Sequence, residues 1–260
     1  MIVFNNITCG YGNTAVLSGI VAQIRAREVT CLLGKNGVGK TTLFKTVLGL
    51  LPLIGGSIQY SGKNRGELSA RQFARYISYV PQAHSNPFPF SVAEVVLMGQ
   101  FAHSEGRLGL ANPGTKQQDI AERCLAQLGI EYLKHRIFSS LSGGEKQMVL
   151  IARAMAQQTE FIAMDEPTSN LDLCNQMRVM QVVAKLKQCG YGVIINTHSP
   201  QHALQYADQV LLLKDGALHK AGSPETVITG ASLSDLYGVP IEIVEACTAE
   251  GHTRKILVEG

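Results

Sequence analysis

The chain has six cysteines and no Cys-x-x-Cys pair among them. Cys9, Cys31, Cys124, Cys174, Cys189 and Cys247 are scattered, so neither a zinc site nor a redox dithiol is indicated. Most read as small buried hydrophobes, and a reducing cytosol is the natural compartment. No stretch approaches the run of about 18 apolar residues that a spanning helix needs; if the protein works at a membrane, another chain supplies the span. Met1-Ile2-Val3-Phe4 lacks the basic start and long apolar core of a signal peptide and reads as a strand. No basic stripe accompanies the net charge of +3 and pI near 8.5, which argues against a nucleic-acid partner. Internal repeats and low-complexity tracts are also absent.

What is present suits a folded α/β protein: 45% hydrophobic and 17% charged residues over 260 positions. That length holds one large domain, or a core plus a smaller subdomain. The chain is organised around Gly34-Lys35-Asn36-Gly37-Val38-Gly39-Lys40-Thr41-Thr42, which fits the phosphate-loop pattern. The apolar run Val29–Leu33 before it reads as a buried strand, and Leu43–Leu48 after it as a helix. The order matters chemically. Glycines let backbone N–H groups turn inward as an anion nest. The helix start adds unpaired donors and a positive dipole end. Lys40 can reach the β- and γ-phosphates of a nucleotide, and the Thr41 hydroxyl can ligate Mg²⁺.

Residues 2–30 read as short strands, with a turn at Gly10–Asn13. Tyr11 offers a flat ring suited to stacking a base, or is a partly exposed structural tyrosine. Glycines and Pro52 end the loop helix before a strand at Ser57–Tyr60, and residues 61–74 are polar and helix-like. The strand Arg75–Val80 stops at Pro81-Gln82, where a carboxamide could face a metal-bound water or simply solvent. Asn86–Ser91 is stiff, aromatic and proline-broken: an internal turn or an exposed contact surface. Ser91 and Glu94 have the spacing of a capping box for a helix from Val92. Residues 104–115 read as a loop, and Lys116–Leu128 as a helix ended by Gly129. Ser142-Gly143-Gly144 before a helix is either an anion cradle or a plain N-cap.

Phe161–Met164 is an apolar strand that delivers Asp165 and Glu166 at its tip. An acid there holds Mg²⁺ through water in Walker-B chemistry, and Glu166 is placed to act on water as a general base. A helix follows over 173–187. Gly192–Thr197 is a core strand ending at His198, which either senses a γ-phosphate or caps the strand. A helix at Pro200–Tyr206, a hairpin turning at Asp215-Gly216, a helical tail over 223–237 and two terminal strands complete the chain.

These pieces, in this order, resemble the ATPase subunit of ATP-binding-cassette (ABC) transporters over nearly the whole chain. The run Leu141-Ser142-Gly143-Gly144-Glu145 looks like that family's signature. The resemblance implies an ABC-type P-loop NTPase with a RecA-like core, an N-terminal antiparallel β region and an inserted helical subdomain. The core would be 1–82 with 156–260, and the subdomain 83–155. It implies ATP and Mg²⁺ as ligands, held by Gly34, Asn36, Gly37, Gly39, Lys40, Thr41 and Thr42, with Tyr11 on the adenine. Thr41, Gln82 and Asp165 would serve the metal. Ser142, Gly143 and Gly144 would bind the γ-phosphate of the nucleotide on an opposing subunit. Glu166 would be the catalytic base, with Gln82, Lys40 and His198 assisting, and Asp172 would lie in the dimer-crossing loop. The implied partners are a second copy, an integral membrane permease dimer and, indirectly, a substrate-binding protein, at the cytoplasmic face of a prokaryotic inner membrane. Phe88–Gly99 and Leu236-Tyr237-Gly238-Val239-Pro240 are similar to importers of iron–siderophore, haem or cobalamin. An oxyanion importer such as one for molybdate, or a lone exporter subunit, fits the same motifs. Soluble cassette proteins of DNA repair or translation usually carry coiled coils or tandem cassettes, which are missing here. Lys35 stands where the family often has proline, and Thr41 where serine is common; neither change removes the phosphate cradle or the hydroxyl.

Overall fold

Two patterns of hydrophobicity build two kinds of sheet. Numbering elements along the chain, β1 (Ile2–Tyr11) and β2 (Thr14–Ile24) mix buried apolar with exposed polar positions, as strands with one solvated face do. They pair antiparallel, and β4 (Leu53–Tyr60) and β5 (Lys63–Asn64) extend the sheet in the order β2-β1-β4-β5. β1 is continuous where the sequence reads as two strands. Asn6 enters the left-handed region at φ 49, and the pairing shifts between Phe4 and Ile7, so the polar Asn5-Asn6 step is a bulge inside one strand. β4 likewise begins earlier than expected. Gly55-Gly56 belongs to the strand because a Cβ on Gly56 would sit 2.6 Å from the Asn5 carbonyl oxygen; the bulge leaves no room for a side chain.

The second kind has a buried centre. The residues of β3 (Val29–Leu33) and β8 (Gly192–Asn196) are all buried. β3 lies between β8 and β9 (Gln209–Lys214), parallel to both, and β10 (Ala217–Gly222) folds back antiparallel through the turn predicted at Asp215-Gly216. Truncating a fully buried side chain such as Leu33 would cost about 2–5 kcal/mol. Helix α1 (Lys40–Val47) packs beneath the loop that follows β3, and the buried Tyr60 hydroxyl donates to its last carbonyl, Val47 O.

The computed structural model describes residues 1–82, 89–103, 115–247 and 253–259. Asn86–Phe88 of the proline-aromatic segment and residues 104–114 of the expected loop therefore lie outside the described residues. The chain divides into two units: Met1–Arg65 with Gly192–Gly260, and Gly66–Tyr191. The first holds the strands above, α7 (Pro200–Tyr206), α8 (Pro224–Val227), α9 (Gly230–Tyr237) and the hairpin β11 (Ile241–Cys247)–β12 (Thr253–Glu259). The second holds the parallel pair β6 (Ile77–Val80) and β7 (Phe161–Asp165). Its helices are α2 (Ala70–Phe73), α3 (Val92–Leu97), α4 (Thr115–Leu128), α5 (Gly143–Ala156) and α6 (Leu173–Gln188). The capping box predicted from Ser91 and Glu94 is formed at the start of α3. Half of the cysteines are buried, not most: Cys174, Cys189 and Cys247 are exposed. Among the described residues, no helix is long and apolar enough to cross a membrane.

Candidate functional site

In parallel sheets ligands collect at the carboxyl ends of strands, and the predicted residues emerge there in both units. β3 runs directly into the phosphate-binding loop. A Cβ on Gly34 would meet the Leu213 carbonyl oxygen at 2.6 Å, and one on Gly39, whose φ is +107, would meet Leu17 Cγ at 2.8 Å. Both positions are closed to other residues. Gly39 precedes α1 and supplies no side-chain cap, so the first turn of the helix faces the loop interior with backbone donors. Lys40 is 5% exposed, and its ammonium donates to the carbonyls of Gly34 at 2.8 Å and Lys35 at 2.9 Å. A buried cation is costly unless held by polar partners; here the loop's own carbonyls curl round it. Asn36 and Gly37 are exposed at the loop crest, Thr41 is exposed on α1, and Thr42 is buried. His198 follows β8, the strand adjacent to β3, and Thr197 N–H donates to Leu32 O at 3.1 Å. The exposed His198 therefore leaves the sheet one strand over from the loop. Its carbonyl accepts from the Tyr237 hydroxyl at 3.4 Å. Burial and the neighbouring His198 hold His202, a turn later, below the usual imidazole range. Tyr11 ends β1 in the other sheet of this unit and is 52% exposed.

In the second unit β6 and β7 run side by side, so Gln82 and the acid pair leave neighbouring strand ends. Gln82 Nε2 donates to Ser169 Oγ at 3.0 Å, and Ser169 Oγ donates to Glu166 O at 2.9 Å. The Ser169 amide donates to the same carbonyl at 3.0 Å. Glu166 has φ 45, a conformation that a non-glycine residue holds only when its surroundings enforce it. The Ser169 hydroxyl and amide both hold the Glu166 carbonyl in that turn. Asp165 accepts a hydrogen bond from the Tyr79 hydroxyl; burial first, and then the Asp165 charge, push the Tyr79 phenol up to about 12. Arg153 Nη2 reaches back to Tyr79 O at 3.4 Å.

Ser142 caps α5. Its hydroxyl accepts from Glu145 N–H, and the Glu145 carboxylate accepts from Ser142 N–H at 2.9 Å and Ser142 Oγ at 2.8 Å. Those bonds hold the Glu145 carboxyl below its ordinary range. Asp172 caps α6 with its carboxylate alone, accepting from Asn175 N–H and Nδ2, each at 2.8 Å.

The residues present suit the expected ligands. A loop whose Gly34 and Gly39 are closed to Cβ atoms, a helix start without a side-chain cap and the buried Lys40 are the features that an anion would need. The metal donors named from the sequence, Thr41, Gln82 and Asp165, are all oxygen donors, as a hard cation prefers. Among the described residues no cluster of three or more His, Cys, Asp and Glu could hold a metal ion by itself. Sequence reasoning missed Ser169, Tyr79 and Asn175. Each is an ordinary polar residue whose partner is a motif residue, and only the fold brings them together.

The family description "ABC transporter" matches residues 17–169. An ABC transporter ATP-binding protein of Haemophilus influenzae is 40% identical over 92% of this chain and 90% of its own. The hemin import ATP-binding protein of Aliivibrio fischeri is 35% identical over 90% and 89%. A solved inward-facing transporter assigned to the metal-chelate type superposes with a TM-score of 0.87 at 31% identity, covering 99% of this chain and 96% of that one. With the phosphate-binding loop, the acid pair and the capped diglycine all at element ends, the chain belongs to the ABC transporter family of ATP-binding proteins.

Proposed function

We propose that this chain is the ATP-hydrolysing subunit of an importer for metal chelates, haem or iron–siderophore, and that it works as a head-to-tail dimer against a membrane permease on the cytoplasmic face. The observation that carries the reading is the phosphate-binding loop closed around the buried Lys40 in a chain that also presents a Ser142-capped diglycine helix start. The cargo class follows the hemin importer and the metal-chelate-type transporter, both similar over nearly the full chain.

Tyr11 stacks the adenine. Backbone N–H groups from Gly34 to Thr42, with Asn36, Gly37 and Gly39 at the turns, hold the phosphates, and Lys40 binds the β- and γ-groups. Thr41, Gln82 and Asp165 would hold Mg²⁺, which when bound offsets phosphate charge. Glu166 takes the proton of the attacking water, and Gln82, tethered through Ser169, orients that water. His198 donates to the γ-phosphate. Ser142, Gly143 and Gly144 grip the γ-phosphate of the nucleotide bound by the other copy, and Asp172 lies at the crossing between copies. Residues 83–155 form the arm that meets the permease, and 1–82 with 156–260 the catalytic core. A substrate-binding protein delivers cargo from the far side.

Glu166→Gln keeps the shape and removes the base. With ATP and Mg²⁺ it is expected to run as a dimer by mass and to turn over at under about a hundredth of the wild-type rate, the lower end of what a general base contributes. A monomer hydrolysing ATP at the wild-type rate contradicts the assignment.

A further inference from the structure

We infer that Asn175 is a positioning residue that locks the Ser142–Gly144 turn to Asp172, so that the two loops are set as one piece. The deduction starts from Gly144. It lies within α5 and has no left-handed φ, so its backbone does not require glycine, and alanine is the better helix former. Space is what excludes a side chain. The three nearest atoms to a Cβ built there all belong to the side chain of Asn175: Oδ1, Cγ and, at 2.9 Å, Nδ2.

A flexible side chain would swing away, but Asn175 is short and held. Its Nδ2 donates to Asp172 Oδ2 at 2.8 Å, and its backbone N–H to Asp172 Oδ1 at 2.8 Å. The preceding position is also close to the chain before α6. A Cβ on Gly143 would lie 3.4 Å from Leu171 Cδ2. The starts of α5 and α6 therefore abut at two successive positions, with the Asn175 carboxamide wedged between Gly144 and the Asp172 carboxylate. A displacement of Asp172 carries Asn175, and Asn175 carries Gly144.

This inference rests on the proposed function for its catalytic consequence, because it assigns the locked turn to the nucleotide of the second copy. The test uses the full chain and ATP–Mg²⁺. Asn175→Ala is expected to lower turnover about tenfold, the effect of about 1.4 kcal/mol at the transition state, with ATP binding to the separate subunit unchanged. Asn175→Asp keeps the shape but sets a carboxylate against Asp172, and is expected to be at least as impaired. Gly144→Ala alone is expected to fall below about a tenth of wild type, and Gly144→Ala with Asn175→Ala to recover to the level of Asn175→Ala, the non-additivity of residues in contact.

A merely structural role predicts no such recovery. Wild-type turnover in Asn175→Asp, or a double variant no better than Gly144→Ala, overturns the inference. Amide hydrogen exchange on nucleotide-free protein reads the lock without catalysis: Asn175→Ala is expected to speed exchange at 143–146 together with 173–176. Faster exchange at 173–176 alone overturns the inference. If the wild-type chain failed to hydrolyse ATP, the functional reading would fall while the exchange result still decided the lock.

Discussion

Ser169→Ala removes one oxygen and with it two bonds, from Gln82 at 3.0 Å and to Glu166 O at 2.9 Å. Both are neutral and half exposed, so each contributes about 0.5–1 kcal/mol, the lower part of the usual range. Glu166 keeps its second donor, the Ser169 amide, so its left-handed turn persists with less restraint, and the Gln82 carboxamide swings free. If the loss is felt in the transition state, about 1–2 kcal/mol becomes a fall of about 5- to 30-fold in turnover. Nucleotide affinity should hardly move, because Ser169 is not part of the phosphate-binding loop. Ser169→Thr restores the hydroxyl and should restore most of the rate. The assay is steady-state phosphate release across ATP concentrations, with nucleotide titration and thermal melting on the same preparations. Ser169→Ala at the wild-type rate, or Ser169→Thr as slow as Ser169→Ala, would refute the reasoning that this hydroxyl ties the two strand ends together.

Two predictions concern the folded chain alone. A thiol reagent should label Cys174, Cys189 and Cys247 in native protein and all six cysteines after unfolding. Burial shields Cys9 and pushes the Cys31 thiol up to about 12 and the Cys124 thiol up to about 11, which leaves little thiolate at neutral pH; fast labelling of Cys31 would contradict the packing. Glu145 is held below its ordinary 4.5 by the Ser142 N–H and hydroxyl. A depressed carboxylate contributes stability that is present above the unfolded value and lost as pH falls through the folded one. Melting temperature should therefore drop more steeply below pH 4.5 in wild type than in Glu145→Gln; parallel curves would contradict the capping box.

Much of this was legible because its causes are local. A Gly-rich turn between an apolar strand and a helix, a Ser three residues before a Glu, and an Asp-Gly after an apolar run each carry their geometry in a few adjacent residues. The buried runs Val29–Leu33 in β3 and Phe161–Met164 in β7 were legible because no charged residue interrupts them. What escaped depends on distant pairing. Gln82 and Ser169 stand 87 positions apart, and nothing near Ser169 marks it as their link. The contact that makes Gly144 a glycine lies on another helix. The extent of β1 and β4 was hidden because Asn5-Asn6 and Gly55-Gly56 look like breaks in sequence, yet they are the two sides of one bulge.

The most direct measurement of the central claim, that ATP is hydrolysed between two copies of this chain, is made on mixed dimers. One copy carries Lys40→Ala and the other Ser142→Arg. In a head-to-tail pair one site collects both defects and the other has neither, whereas each mutant homodimer has no intact site. The account predicts that both homodimers are inactive and that isolated mixed dimers hydrolyse or occlude ATP at one site. If Ser142 served its own subunit's nucleotide, every site in the mixture would carry one defect. Mixed dimers as inactive as the two homodimers would contradict the account.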